Sequence, residues 1–535
     1  MKKQLLALLL LGFSVSAISQ FSFTRLYDIQ VTKDALVQKF PWTGGMNFCQ
    51  FSNIDLNYDG VEDLFIFDRS GDKVLTFLQN GSSGVMDFEY APQYEEAFPG
   101  MSDWAMLADY NCDGNADIFT WTAGGCMVYK NTGNSSALSF ELEEPILLYD
   151  SAIEPLTFLF MNSQDVNSFV DVDGDGDIDI LMWLPDGSQD VVEYYKCMSM
   201  EMYGVCDSLV YEQKNMCWGN FRESATDFDY ALFETTAPCS GTLPGEESWK
   251  PDSDRTDRHG GGTLLALDLD GSGVLDLIVG DGASPRLAWL YNSGSAVNTD
   301  SDMDTWQMSI PPPDPVELNQ LVAGFYVDLD NDGARELIAA PQMESVASQN
   351  WESAWWYSNS GTDDNPTFSL SGKSLCQGDM IDNGFASHPV YFDANGDGLK
   401  DLLISSRERH DSITMDTKGF IYYYENTGTL SDPEFTFVTD DYQGISLMNL
   451  GAEKNFYPTF GDLDGDGDED MILGEYVGWM YYFENTGGAG APAVFSSYVF
   501  LEDDLGDFID WTKAKEIHDH EMDEIAKTLS ASVKK

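Results

Sequence analysis

The chain has 535 residues, with 91 Asp and Glu against 27 Lys and Arg, and a formal net charge of −64. That balance repels phosphate backbones and anionic lipid surfaces, which excludes nucleic acid and charged membranes as partners. Hydrophobic residues at 43% and aromatic residues at 13% are too abundant for a disordered acidic polymer, so the carboxylates belong to a folded protein.

At the N-terminus, Lys2 and Lys3 precede an apolar run from Leu5 to Val15, and Ala17-Ile18-Ser19 offers small residues before Gln20. This predicts a secretory signal peptide over residues 1–19, cleaved near Ser19/Gln20. No later stretch is long and apolar enough to span a bilayer, so a secreted or cell-surface protein with no membrane span is expected. Export makes the eight cysteines candidates for pairing. Cys197, Cys206, Cys217 and Cys239 crowd into one segment, where two local disulfides are expected in one of three possible pairings. Cys49, Cys112, Cys126 and Cys376 are too scattered for a pattern to be read.

One nine-residue string then recurs seven times in chain order. Its oxygen-bearing positions 1, 3, 5 and 9 are Asp55, Asn57, Asp59 and Asp63; Asp109, Asn111, Asp113 and Asp117; Asp171, Asp173, Asp175 and Asp179; Asp268, Asp270, Ser272 and Asp276; Asp328, Asp330, Asp332 and Glu336; Asp393, Asn395, Asp397 and Asp401; and Asp462, Asp464, Asp466 and Asp470. Position 6 is Gly each time. Chance places on the order of one such string in a chain of this composition.

Alternate oxygens around a tight loop suit a hard cation that takes six to eight oxygen ligands, and calcium fits best. The Gly allows a backbone reversal, position 7 offers its carbonyl, and the acid at position 9 is expected to close the cage. Without a cation, carboxylates this close would repel by about 1–4 kcal/mol per pair. About seven Ca2+ ions are therefore expected, with the Ser272 loop weakest and the Glu336 loop altered by one extra methylene.

An EF-hand loop would continue to a Glu at position 12 between helices, whereas here short branched or aromatic runs follow position 9 at once, such as Leu64-Phe65-Ile66-Phe67 and Leu402-Leu403-Ile404. These predict buried strands. A second string, Asn131-Thr132-Gly133 and its counterparts at Asn292, Asn359, Asn426 and Asn485, with Asn80-Gly81 as a shortened version, predicts a hairpin turn between later strands. Each unit thus reads as four strands with the acidic loop between the first two. The loops recur every 54–69 residues except for one interval of 97, which holds the cysteine-rich segment and predicts an insertion at about 190–262 between the third and fourth units.

Seven four-stranded units predict an all-β, seven-bladed β-propeller over residues 20–500 with a calcium loop in each blade, because ring closure protects strand edges. The D-x-D-x-D-G-x-x-D loops with trailing aliphatic strands resemble the FG-GAP and VCBS repeats of integrin α-chain propellers and secreted bacterial proteins. The resemblance covers about residues 40–500. It implies calcium on one face of the ring and ligand contact on the other, although in integrin-like propellers only some blades carry metal loops. Residues 21–34 or the strand near Tyr498 are candidates to close the ring.

Beyond residue 500, Ile517, Met522, Ile525 and Leu529 have helical spacing in a charged tail that also carries His518 and His520. Catalytic motifs such as GxSxG and HExxH do not occur. A calcium-dependent polysaccharide lyase is the enzymatic alternative, with Arg255, Arg258 and His259 as its basic group; an exported structural scaffold is another. The leading expectation is an adhesion or extracellular recognition module for a protein or carbohydrate ligand. Its contacts are sought in the loops opposite the metal face, among them Gln342–Glu352 with Trp355 and Trp356, Arg407–Lys418, Tyr203 and Trp218.

Overall fold

The computed structural model describes residues 25–501, apart from 151–155, 185–190, 224–229, 233–261, 283, 295–301, 319, 344–349, 412–415, 449 and 451–453. The expected signal peptide, the helical tail with His518 and His520, and the Arg255, Arg258 and His259 group lie outside the described residues.

Every acidic loop joins the first and second strands of its own antiparallel sheet. The first sheet is Cys49–Ile54, Asp63–Asp68, Lys73–Gln79 and Phe88–Tyr90. The second is Ala105–Ala108, Asp117–Thr122, Gly125–Asn131 and Phe140–Glu144; the third is Ser168–Val170, Asp179–Trp183, Val192–Cys197 and Tyr211–Asn215. The fourth is Gly262–Leu267, Asp276–Asp281, Leu287–Asn292 and Met303–Met308; the fifth is Val322–Val327, Glu336–Pro341, Trp355–Asn359 and Phe368–Gly372. The sixth is His388–Phe392, Asp401–Ser405, Ile421–Asn426 and Phe435–Thr439, and the seventh Tyr457–Gly461, Asp470–Gly474, Met480–Phe483 and Val499–Phe500. The four-strand order read from the repeat is therefore present in all seven units.

The second strands explain the aliphatic runs. Asp63–Asp68, Asp276–Asp281 and Glu336–Pro341 are buried at every residue, covered on both faces, so their sequences do not alternate. Register is locked at the loop mouth, where position 9 pairs with the residue preceding position 1: Ile54 with Asp63, Leu267 with Asp276 and Val327 with Glu336.

Three expectations need correction. Residues 192–215, assigned to an insertion, supply the third and fourth strands of the third sheet, with a short helix, Ser199–Tyr203, between them; among the described residues, Phe221–Glu223 and Tyr230–Leu232 pair as a separate hairpin. Next, among the described residues neither candidate segment closes a ring. Val31–Lys33 runs parallel to Phe435–Thr439 and pairs with Leu36–Val37, covering the outer edge of the sixth sheet, while Val499–Phe500 is the seventh sheet's own fourth strand. The third sheet carries a matching outer hairpin, Leu148–Asp150 with Thr157–Phe158.

Finally, among the described residues the first strands close a cycle of five sheets, and a single cycle of seven is not seen. The first strands touch in the order Cys49–Ile54, Ala105–Ala108, Ser168–Val170, Gly262–Leu267 and Val322–Val327, and the last returns to Cys49–Ile54. The fifth sheet thus lies against the first. Phe51 meets Phe325 edge to face at 5.6 Å, inside one apolar cluster that also holds Leu64, Ile66, Ile338 and Ala340. The Gln50 amide crosses the same region: its nitrogen donates to Gln342 Oε1 at 3.1 Å and its oxygen accepts from Ala105 N at 2.7 Å. The sixth and seventh sheets pack on each other, with Phe392 stacked on Phe460 at 4.1 Å. Which first strands meet is not contained in a repeat count.

Candidate metal centres

Two backbone reversals shape each loop. Position 6, the invariant Gly, has φ between +81° and +104° in all seven, a conformation other residues adopt at a cost. Position 4 is also left-handed, even where it is Tyr58, Cys112 or Asn331. Together they turn the backbone N–H groups inward, and in six loops the position-6 amide donates to the position-1 carboxylate at 2.7–3.1 Å.

The acid at position 9 is buried in every loop, with relative exposure of 0–3%. One of its oxygens accepts the position-2 amide at 2.8–3.2 Å. The other accepts the amide of a residue at the end of the third strand, or two past it in the seventh sheet: Gln79, Asn131, Cys197, Asn292, Asn426 and Asn485 at 2.7–2.8 Å. In the fifth sheet, the longer Glu336 makes the equivalent bond to Asn359 at 3.5 Å. Where that residue is Asn, its amide nitrogen donates to the position-8 carbonyl at 3.1–3.3 Å. The Asn-x-Gly string is therefore both a turn and a clamp on the loop, a role that sequence reading missed although both strings were found.

Burial shifts these acids strongly. Removal from water pushes Asp63, Asp117, Asp276 and Glu336 up to about 7 and Asp179 up to about 8, against the lowering effect of their amide donors. A cation nearby would reverse that cost.

The residues fit a hard cation. Carboxylate oxygens of Asp268, Asp270 and Asp276 converge to within 4.8 Å of one another, as do those of Asp328, Asp330 and Asp332 and those of Asp462, Asp464 and Asp466; those of Asp171, Asp173 and Asp179 converge too, but there Asp173 is also bonded to Lys196. Asp328 Oδ1 is buried without a hydrogen-bond partner, an orphaned acceptor that a cation would satisfy. The loops at Asn57, Asn111 and Asn395 have an amide at position 3 that also offers an oxygen. All donors are oxygens, as calcium prefers.

The third loop differs. Lys196, on the third strand of its own sheet, inserts its ammonium among Asp173, Asp175 and Glu201, with Nζ 2.8 Å from Asp175 Oδ2. Burial would lower the Lys196 pKa, but the three carboxylate partners outweigh it and hold it well above its ordinary value. The cysteines differ from expectation as well. Cys112, at position 4 of the second loop, is bonded to Cys206, 94 residues away, with Cα atoms 5.9 Å apart. Cys197 is a buried free thiol, and Cys217 is disulfide-bonded while Cys239 lies outside the described residues. Two purely local bridges are thus ruled out: packing brings the second loop against the chain that follows Cys197.

Connections between second and third strands lie at the opposite ends of the meanders. There, a cavity of about 510 Å³ is lined by Lys33, Trp351, Arg409, Tyr422, Phe437 and Asp440, among others. The Arg409 guanidinium lies over the rings of Phe420, at 4.5 Å, and Trp351, at 5.5 Å, and 3.4 Å from Asp440. Of the aromatics expected to face ligand, Trp355 and Trp218 are buried core residues, Trp356 is half-buried and Tyr203 is exposed.

Residues 393–473, which hold the sixth and seventh acidic loops, match the family model of the FG-GAP-like repeat. No curated protein matches the chain. Among solved structures, the chain is similar to that of an Agrocybe aegerita lectin studied for specific recognition of non-reducing terminal N-acetylglucosamine, at 15% sequence identity and a TM-score of 0.24, with 87% of this chain and 92% of that chain covered. That score is too low to carry a fold or a ligand across. The match to the FG-GAP-like repeat covers residues 393–473, and the acidic loop found there recurs in all seven sheets, with the Asn clamp in five of them.

Proposed function

We propose that the protein is a secreted, calcium-binding recognition module whose first five sheets form a propeller-like ring and whose acidic loops hold the metal. The observation that carries this reading is the recurrence of one oxygen-lined loop in every sheet, built on the same two left-handed residues and the same buried acid. Positions 1, 3, 5 and 9 would supply the ligands, and calcium bound there would neutralise carboxylates that otherwise repel across the loop mouth. The metal is structural in this reading. Ligand contact falls at the opposite end, where the cavity beside Arg409, Trp351 and Tyr422 offers aromatic faces and paired charges to an extracellular protein or carbohydrate.

Elemental analysis of purified protein in excess calcium, followed by thermal unfolding with and without chelator, tests the metal. Several equivalents per chain and a large drop in Tm on chelation are expected, since each site adds about 2.7 kcal/mol at a hundredfold excess over Kd. Superimposable unfolding curves would make the loops ordinary turns. A glycan and protein array, repeated with Arg409→Ala, tests recognition: binding to an array member that is lost in the variant supports the cavity.

A further inference from the structure

Resting on that calcium reading, we infer that the third loop is occupied by the protein's own Lys196 and is closed to metal. By sequence, DVDGDGDID is among the most acidic of the seven loops, with Asp at positions 1, 3, 5, 7 and 9. In the structure, its position-3 and position-5 carboxylates, Asp173 and Asp175, are both turned onto one ammonium, with Glu201 from the following helix as the third partner. Three carboxylates meet the three donors of the lysine, so its hydrogen-bonding capacity is filled. The Lys196 side chain is 9% exposed, so it does not wave in solvent.

Calcium and this ammonium exclude one another. A metal ion would draw on oxygens of the same two carboxylates at about 2.3–2.6 Å, which would put a divalent cation within a few ångströms of a buried positive charge. Metal must therefore displace a tethered competitor whose effective concentration is set by its own backbone, on the order of millimolar or above.

The position is general, and its occupants differ. Lys196 precedes the residue whose amide meets the position-9 acid; the counterparts are Leu78, Lys130, Tyr291, Ser358, Glu425 and Glu484. Two of these also reach into their loops. Lys130 Nζ lies 3.9 Å from Asp113 at position 5 of the second loop, half-open to solvent, and Glu425 accepts a hydrogen bond from Asn395 at position 3 of the sixth. Only at Lys196 is a cation shared among three carboxylates of the described residues.

Calcium equivalents per folded chain, measured at one fixed free calcium concentration, decide it. Lys196→Met is expected to bind one equivalent more than the natural sequence. Because that variant could fail to fold, the double change Asp173→Asn with Asp175→Asn is measured with Lys196 intact. It is expected to leave the calcium count unchanged. Loss of about one equivalent in the double variant, or no gain in a folded Lys196→Met protein that binds calcium elsewhere, would overturn the inference while leaving the calcium reading standing. Absence of calcium from both the natural protein and Lys196→Met would instead overturn the calcium reading, and this inference with it.

Discussion

Asn53 and Asp328 exchange a reciprocal pair of hydrogen bonds: the Asn53 amide nitrogen donates to the Asp328 carbonyl at 2.9 Å, and the Asp328 backbone N–H donates to Asn53 Oδ1 at 2.9 Å. One residue lies on the first strand of the first sheet and the other at position 1 of the fifth acidic loop, 275 residues later. Gln79 adds a third tie, from its amide nitrogen to the Leu329 carbonyl at 2.7 Å. Side-chain amides thus fasten the fifth sheet's loop to the first sheet. Asn53→Ala removes a donor and an acceptor at once and should destabilise the protein by about 1–3 kcal/mol. Denaturant unfolding measures this. A change within experimental error would mean that the fifth sheet does not lie against the first in solution.

The buried acid at position 9 gives a sharper contrast between two substitutions at one site. Asp276 accepts from Leu269 N at 2.8 Å and from Asn292 N at 2.7 Å. In Asp276→Ala both amides lose their acceptor in a dry environment, at a cost of roughly 2–5 kcal/mol. Asp276→Asn keeps one carbonyl oxygen and should lose about half as much. Equal stability of the two variants in calcium-free buffer would show that the amide contacts contribute nothing and that the acid serves only as a ligand.

Much of this was legible in the chain because each repeated feature is local. Asp171, Gly176 and Asp179 lie within nine residues, so spacing alone predicts the loop, and Leu277-Ile278-Val279 declares a buried strand by composition. The strand order followed from the same period. What spacing does not contain is which distant surfaces meet. Phe51 and Phe325 look alike to any sequence pattern, yet their contact places the fifth sheet on the first. Lys196 reads as one more strand residue until its sheet folds back over Asp173 and Asp175. Cys112 was isolated by position, and its partner Cys206 was counted among neighbours it does not join.

The pH dependence of stability should change sign with calcium. In the metal-free protein, burial raises Asp63, Asp117, Asp276 and Glu336 to about 7 and Asp179 to about 8, whereas in the unfolded chain such groups titrate near 4. Between those values the folded state holds more protons than the unfolded state. Stability contributed by these groups is therefore complete below about pH 4 and falls as pH rises through 7 to 8. With calcium in excess, ionised carboxylates become ligands and protons compete with metal, so stability should instead rise over the same range. Melting temperatures of metal-stripped and calcium-loaded protein at pH 5, 6, 7 and 8 are expected to diverge steadily. Parallel curves would show that the buried acids are not linked to metal.

The Cys112–Cys206 bridge joins a loop to the segment beyond Lys196, and it closes a long stretch of chain. Constraining the unfolded state in this way stabilises a protein by about 2–5 kcal/mol. Cys112 also occupies position 4 of the second loop with φ of +56°, between Asn111 and Asp113, so the bridge holds two oxygen-bearing neighbours in place. Cys112→Ser should then do two things: lower the midpoint of denaturant unfolding, and weaken calcium at one site while the remaining sites keep their affinity. Calcium titration of the folded variant separates these effects. A loss of stability with every site unchanged would confine the bridge to a purely covalent tie, and non-reducing peptide maps that pair Cys206 with Cys197 would show that the second loop and the third sheet are not joined at all.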